Sequence, residues 1–363
     1  MKLAKKIFFK LICQMVYVVA KIIYATRQPK EPEIPPLPLI SKDSDVVAIV
    51  ALYQNGVLCP NAESMLEILK EKGVALFVIN NGKLSLEEQK KLSFVDFYYE
   101  RPNWGMDFGA YKLGTRIIRA MEAQHKINPK KYVFLNDSVL ILSARYAAFM
   151  ERFLSDSADW VGVTENHDGP HHVSSWLFSV SKEIWKQPKF SAFWDEYQPL
   201  AARHYTIVKG ELGLSGLLKR MGYNASVHFP SSLFIGEVAK LTSEEFNNAL
   251  SLVQQKFLAS SASNFSSQRT DWIEKYLKNE RSLNQTHFWQ LFALWKTDFP
   301  FVKKDLWSRN KFTREQFELL LQLVPKDIHE EVACIVERLL AMRQTRTLPW
   351  KEKVRVKTGL KLK

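Results

Sequence analysis

Two short segments hold residue types that could do chemistry. The first, Arg101 to Lys112, reads Arg-Pro-Asn-Trp-Gly-Met-Asp-Phe-Gly-Ala-Tyr-Lys and crowds Asn103, Gly105, Asp107, Gly109 and Lys112 into the approach to a helical pattern. The second, Tyr132 to Val139, is an apolar run that stops abruptly at Asn136-Asp137-Ser138. Such a run reads as a buried strand, so its carboxyl end delivers one carboxylate between two hydrogen-bonding groups. In an open α/β sheet that end is where ligands bind. A carboxylate there can hold a diphosphate through a divalent cation, because hard cations share oxygen ligands from carboxylates and phosphates. Gly105 and Gly109 would let the backbone approach a phosphate or sugar. Asp107 can accept hydrogen bonds from sugar hydroxyls, and Lys112 can offset diphosphate charge. Asp107 can equally act as a helix N-cap.

These segments, together with His172-Val173-Ser174-Ser175-Trp176 and Pro300-Phe301-Val302-Lys303-Lys304-Asp305-Leu306, resemble the rhamnan synthesis F family of bacterial polysaccharide glycosyltransferases, over about residues 45 to 310. Ser174 and Trp176 stand where the family pattern has Gln and Tyr. The resemblance implies a GT-A-like, inverting glycosyltransferase whose donor is a nucleotide sugar, dTDP-rhamnose being the one the family suggests. The acceptor it implies is a lipid-linked or growing bacterial surface polysaccharide. It also implies Mg²⁺ or Mn²⁺, although many GT-A enzymes carry Asp-x-Asp where this chain has only Asp137. That depleted acidic motif supports a second reading, a non-catalytic glycan- or nucleotide-binding protein of the same fold.

The same resemblance assigns further roles. Tyr53, after one expected strand, and Asn80, at the end of the next, fall where a GT-A fold places base and ribose, although Asn80-Asn81-Gly82 is also a plain turn signal. Asn103, Asn136 and Ser138 join the donor set; His172, Ser175 and Trp176 would meet the sugar or acceptor. An inverting displacement needs a base to take the acceptor's hydroxyl proton. Glu211, in Lys209-Gly210-Glu211-Leu212-Gly213, is the first choice and Asp168 the next. Glu211 also fits as an ordinary first-turn acid favoured by the helix dipole. His228 is a candidate metal or diphosphate ligand beside Asp137. Zinc is not expected in the loop Glu165-Asn166-His167-Asp168 to His171-His172, since adjacent histidines do not easily share one tetrahedral ion.

The elements that must position these residues alternate: strand Val46–Leu52, helix Ala62–Lys72, strand Val74–Asn80, a helix around Tyr111–Gln124, strand Tyr132–Leu135 and strand Trp160–Val163. Apolar strands alternating with helices imply an α/β, GT-A-like, doubly wound and mostly parallel sheet. After about residue 240 the pattern turns helical, with capping boxes at Thr242/Glu245 and Thr313/Gln316 and a helix stop at Pro325. The organisation expected is an amphipathic helix in 1–30, a Pro-rich linker in 31–44, a catalytic domain in 45–240, a helical region in 241–345 and a basic tail in 346–363.

A net charge of +13 raises the question of nucleic acid, and its distribution answers it. Residues 1–30 hold seven Lys/Arg and no acid, and residues 343–363 hold eight against one Glu, which leaves the body between them near −1. A near-neutral body with basic ends suits an anionic membrane surface better than nucleic acid. Between Lys10 and Lys21 lie ten residues, too few for a bilayer core of about 30 Å. On a helical wheel Lys6, Lys10, Gln14, Tyr17, Lys21 and Tyr24 form one polar edge, so residues 6–24 predict an in-plane amphipathic helix. Packing against the protein's own core is the alternative for it. Cys13, Cys59 and Cys334 give neither a disulfide framework nor zinc spacing, which fits a reducing compartment. The expected location is the cytoplasmic face of the bacterial inner membrane, as a peripheral protein.

Overall fold

The computed structural model describes residues 2–26, 44–124, 126–253, 269–308, 314–330 and 332–333. The linker through residue 43, Thr313, Cys334 and the basic tail therefore lie outside the described residues.

Ten strands are described: β1 Val46–Leu52, β2 Ala75–Asn80, β3 Phe97–Glu100, β4 Lys131–Asn136, β5 Val139–Ile141, β6 Trp160–Asn166, β7 His172–Val173, β8 Leu177–Ser181, β9 Ser226–Phe229 and β10 Phe301–Lys303. β1 sits in the middle because both its faces are apolar. Ala48, Val50 and Leu52 enter one core with Leu66, Val78 and Leu135, while Val47, Ile49 and Ala51 enter another with Phe77, Phe108 and Phe134. Successive side chains of a strand point to opposite faces, so a strand buried on both is the expected product of helices wound over both sides.

The main sheet runs β3-β2-β1-β4-β8-β6-β7, with β9 on β6. The first four strands are parallel, which bears out the α/β, mostly parallel expectation where it matters for a ligand. β8 then runs antiparallel between β4 and β6. The chain steps outward from β1 through β2 to β3 and returns to pair β4 with the other edge of β1. A crevice opens at such a reversal, outside the carboxyl ends of the strands. β3, β5, β7, β8, β9 and β10 are absent from the expected series because runs of two to five residues are too short to show a period.

The helix expected around Tyr111 starts earlier, at Met106, after Gly105 in the left-handed region at φ +72°. Met106 is itself left-handed at φ +55°, an uncommon backbone state for a side chain of that size. A Cβ on Gly105 would lie 2.5 Å from Pro199 Cα, so close packing and backbone hand both demand glycine there. Further along the helix, Gly114 lets the backbone lie on β1, where a Cβ would meet Ile49 Cγ2 at 2.4 Å.

The N-terminal helix Lys2–Thr26 packs on the body through buried Val16 and Ala20. Tyr17 and Tyr24, expected on a polar edge, instead face the body, because their rings pack against Tyr205 at 4.9 Å and Trp104 at 6.3 Å. Met15, Val18, Val19 and Ile22 stay exposed on the opposite side. Among the described residues no helix is long and apolar enough to cross a membrane. In the C-terminal region the Thr242/Glu245 capping box is present, and the helix Arg314–Leu323 stops before Pro325. That region also returns one strand, β10, which pairs antiparallel with β5.

Gly105→Ala is expected to lower the stability of the fold by about 2 kcal/mol or more, from left-handed strain and the collision with Pro199. An unchanged denaturation midpoint would show that the Pro199 segment yields freely.

Candidate active site

A cleft of about 910 Å³ opens over the carboxyl ends of β1 and β4. That is within the range of about 300–1,000 Å³ usual for small-ligand sites. Its floor is a hydrogen-bonded seam between the two strand ends. The Asp137 amide donates to Ala51 O at 3.2 Å, and Asp137 Oδ2 accepts from the Tyr53 amide at 3.0 Å and from the Gln54 side chain. Gln54 is aimed by a second contact, its Oε1 accepting from the Cys59 amide at 3.1 Å. Asn136 Nδ2 donates to Asp107 Oδ2 at 2.9 Å, which ties the end of β4 to the first turn of the helix Met106–Ala123.

Glu211 reaches this floor from far along the chain. It closes a π-helical turn, Thr206–Glu211, that leads into the helix Leu212–Arg220. Such wide turns recur at functional sites because they re-aim a helix face. Gly210 lets the turn press onto Phe108, where a Cβ would stand 2.8 Å from the ring. Glu211 Oε1 accepts from the Ser175 amide at 3.1 Å, which fixes the carboxylate's direction. Burial and the neighbouring charge of Glu211 push the Asp107 carboxyl up to about 6.

The cationic side comes from β10 and beyond. Lys303 Nζ donates to Ser138 Oγ at 2.9 Å and lies 4.9 Å from the Trp176 ring centre. Burial brings the Lys303 ammonium down to about 8, against the opposing pull of Asp305, Glu211 and Asp107. Although burial works the other way, the His287 hydrogen bond at 2.8 Å and the nearby Lys303 and Arg203 hold the Asp305 carboxyl well below the usual range. Lys304 and Arg203 also line the cleft. Three buried polar atoms of lining residues, Asn103 Oδ1, Trp176 Nε1 and His287 Nδ1, have no hydrogen-bond partner among the described residues. Buried polar atoms are normally paired, so a polar ligand is the natural complement of such a set.

The structure thus brings together Tyr53, Asn103, Asp107, Asn136, Asp137, Ser138, Asp168, His172, Ser175, Trp176 and Glu211 around one cavity. The other candidates sit elsewhere. Lys112 is buried with Nζ on the carbonyls of Asp195 at 3.0 Å and Tyr197 at 2.9 Å, so it holds the C-terminal end of the helix Pro188–Glu196 and does not line the cleft. Gly109 serves packing, since a Cβ would meet Trp104 O at 2.0 Å. Gly105 likewise answers to Pro199. Asn80 is fully buried, and its Oδ1 accepts from the Gln54 amide at 2.9 Å, shaping the Tyr53–Gln54 turn from behind. His228 lies on β9 between Phe149 and Phe153, 3.2 Å from Asp156, and is not part of the lining. Asp107 is not an N-cap; Gly105 occupies that position.

Gln54, Arg203, Thr286, His287 and the Lys303–Asp305 segment were not among the expected site residues. For Lys303 and Asp305 the signal was present in the block Pro300–Leu306. For Arg203 and His287 no local pattern marks them, because a single polar residue in a helical stretch looks like a solvated face.

Carboxyl-carbon NMR of labelled aspartate is expected to find Asp107 titrating near pH 6, with Glu211→Gln moving that midpoint down by removing the neighbouring charge. A wild-type midpoint near the ordinary 3.8 would uncouple the two carboxylates.

A protein of Sinorhizobium fredii, y4gN, is 26% identical over 185 residues, covering 50% of this chain and 47% of that protein. The virulence protein VirA of Vibrio anguillarum is 27% identical over 219 residues, covering 59% of this chain and 63% of its own length. The chain thus spans about half of the first relative and under two thirds of the second. Among solved structures, a glycosyltransferase involved in glycosylation of the major capsid of PBCV-1 overlaps 50% of this chain and 82% of its own, at 15% identity and a TM-score of 0.32. The rhamnan synthesis protein F family model matches residues 76–288, more than half of the chain and most of the residues around the cleft, and the chain belongs to that family.

Proposed function

We propose that the protein is a glycosyltransferase of polysaccharide synthesis. It moves a sugar, rhamnose by the family's character, from a nucleotide donor onto a lipid-linked or growing glycan, with inversion at the anomeric carbon. The observation that carries this reading is the juxtaposition, in one cleft at the β1/β4 reversal, of Asp107, Asp137 and Glu211 with Lys303, Lys304 and Arg203. Carboxylates suit sugar hydroxyls and a base, while the cations suit a diphosphate leaving group.

In this reading the exposed Tyr53 ring stacks on the nucleotide base at the cleft mouth. Asp107 and Asn103 hold donor hydroxyls. Glu211 takes the proton of the acceptor hydroxyl as that oxygen bonds to the anomeric carbon. The bond from that carbon to the diphosphate breaks, and its electron pair leaves on the diphosphate oxygen, beside Lys303, Lys304 and Arg203. Asp168 and His172, 3.9 Å apart on the β6–β7 hairpin, stand on the acceptor side. A divalent cation fits this floor, since both bonds drawn to the Asp137 carboxylate land on Oδ2 and Oδ1 remains for a metal. When bound, Mg²⁺ or Mn²⁺ would neutralise diphosphate charge and take its other ligands from phosphate and water.

The exposed stripe Met15, Val18, Val19 and Ile22 supports a peripheral seat on a membrane, on the cytoplasmic face of the bacterial inner membrane in this reading, where a lipid-linked acceptor would be met.

Glu211→Gln keeps shape and removes basicity, so turnover should fall by on the order of 10² or more with donor binding little changed. Wild-type kcat/KM should rise as Asp107 ionises through pH about 6 and fall as Lys303 loses its proton through about 8. An unaltered rate in the variant would move the base to Asp168. Donor binding without any turnover in the wild type would instead favour the non-catalytic reading.

Replacing Met15, Val18 and Ile22 together by Ser leaves the body-facing Val16 and Ala20 in place. It should release the protein from anionic vesicles in a sedimentation assay. Undiminished sedimentation would shift attachment to the basic segment 351–363.

A further inference from the structure

On the outer side of the β6–β7 hairpin, away from the cleft lining, Glu165, His167 and His171 bring one donor atom each to within 4.8 Å of one another. It is the one such group of three His, Cys, Asp or Glu donors among the described residues. We propose that these three side chains form a binding site for a borderline divalent transition metal, Zn²⁺ being the best match, that fixes the hairpin from outside the cleft.

The hairpin's geometry explains why these residues meet. β6 and β7 pair through Glu165↔Val173 and Asn166↔His172, with a turn between them that passes through left-handed Gly169 at φ +107°. Side chains alternate in direction along extended chain. Asn166, Asp168 and His172 line the cleft, while Glu165, His167 and His171 are absent from its lining. His171 Nε2 lies 2.7 Å from Glu165 Oε2, His167 Nε2 lies 3.7 Å from Glu165 Oε1, and the two imidazole rings are 4.8 Å apart. Around a tetrahedral zinc at about 2.0–2.1 Å the donors stand roughly 3.3 Å from each other, so side-chain adjustment of an ångström or so closes the set. The three side chains are partly exposed, at 16%, 25% and 32%, which leaves an ion a way in and a position for water.

Two imidazoles and a carboxylate are a zinc donor set, and too nitrogen-rich for Mg²⁺ or Ca²⁺. The carboxylate is already oriented, since Glu165 Oε1 also accepts from the Ser231 amide at 3.2 Å. Lys219 Nζ donates to the His171 carbonyl at 2.9 Å and also touches His171 Nδ1. When the ion takes Nε2, the ring's single proton passes to Nδ1, and Lys219 keeps only its carbonyl bond. Adjacent His171 and His172 need not share the ion, because they face opposite sides; the partner for His171 is His167.

The test is titration of the full chain with Zn²⁺ against a chromophoric chelator, repeated with Co²⁺ for its visible absorption. One ion per chain is expected, with the intense Co²⁺ bands of a four-coordinate site. His167→Ala and His171→Ala should each weaken binding by on the order of 100-fold or more and abolish those bands. Should either variant fail to fold by circular dichroism, Glu165→Gln, which keeps an acceptor for the Ser231 amide, is expected to show the same loss. Equal Zn²⁺ affinity in wild type and a folded variant, or no stoichiometric binding by the wild type, overturns the site. Neither readout depends on transferase activity, so this result and that of the Glu211→Gln experiment stand apart.

Discussion

The site hangs on the seam where β1 and β4 end side by side. Backbone pairing brings Ala51 opposite Asn136, and the next residues leave the sheet together. A short crosslink then forms between them: the Asp137 carboxylate takes the Tyr53 amide and the Gln54 side chain, while Asn80 holds the Gln54 backbone from below. A strand end normally releases its chain into solvent. Here the two exits are stitched to one another, so the loops beyond them start from a defined place. The carboxylate that stitches them belongs to a residue of the cleft lining, so scaffold and cleft wall meet in a single side chain.

The distribution of charge is the second constraint. Three carboxylates converge with a buried lysine in a partly closed cleft, where Coulomb interactions are weakly screened. Burial, with the Glu211 charge beside it, makes Asp107 hold its proton more tightly, while burial makes Lys303 hold its own less tightly against the pull of the neighbouring carboxylates. An anionic ligand would change that balance by favouring the charged lysine.

Much of this was legible in the chain. β1 and β2 could be read from continuous apolar runs, and the abrupt polar stop after Leu135 marked a strand end that does open on the cleft. Residue type failed as a guide where direction mattered. Lys112 has the charge a diphosphate would want, yet it lies on the helix face that meets the end of the helix Pro188–Glu196 at Asp195 and Tyr197. Gly105 and Gly109 are small for the sake of Pro199 and Trp104. His228 is consumed by packing between Phe149 and Phe153. In the opposite sense, Arg203 and His287 reach the cleft through tertiary packing alone, which no local period encodes. The histidine loop shows the same limit, because adjacency in sequence does not tell which side each ring faces. Alternation along the hairpin separates His171 from His172 and joins it to His167.

The lysine of the cleft arrives on β10, a three-residue strand held to β5 by a narrow ribbon, more than a hundred and sixty residues after the Ser138 hydroxyl it meets. During synthesis, every strand of the main sheet has left the ribosome well before this segment appears. A nascent chain can therefore assemble the floor of the cleft, with its cluster of acids, while still lacking the buried ammonium that balances them. Completion of the electrostatic site is deferred to one of the later docking events of folding, and a chain cut short before Phe301 would leave Arg203 without Lys303 and Lys304 to face Asp107, Asp137 and Glu211.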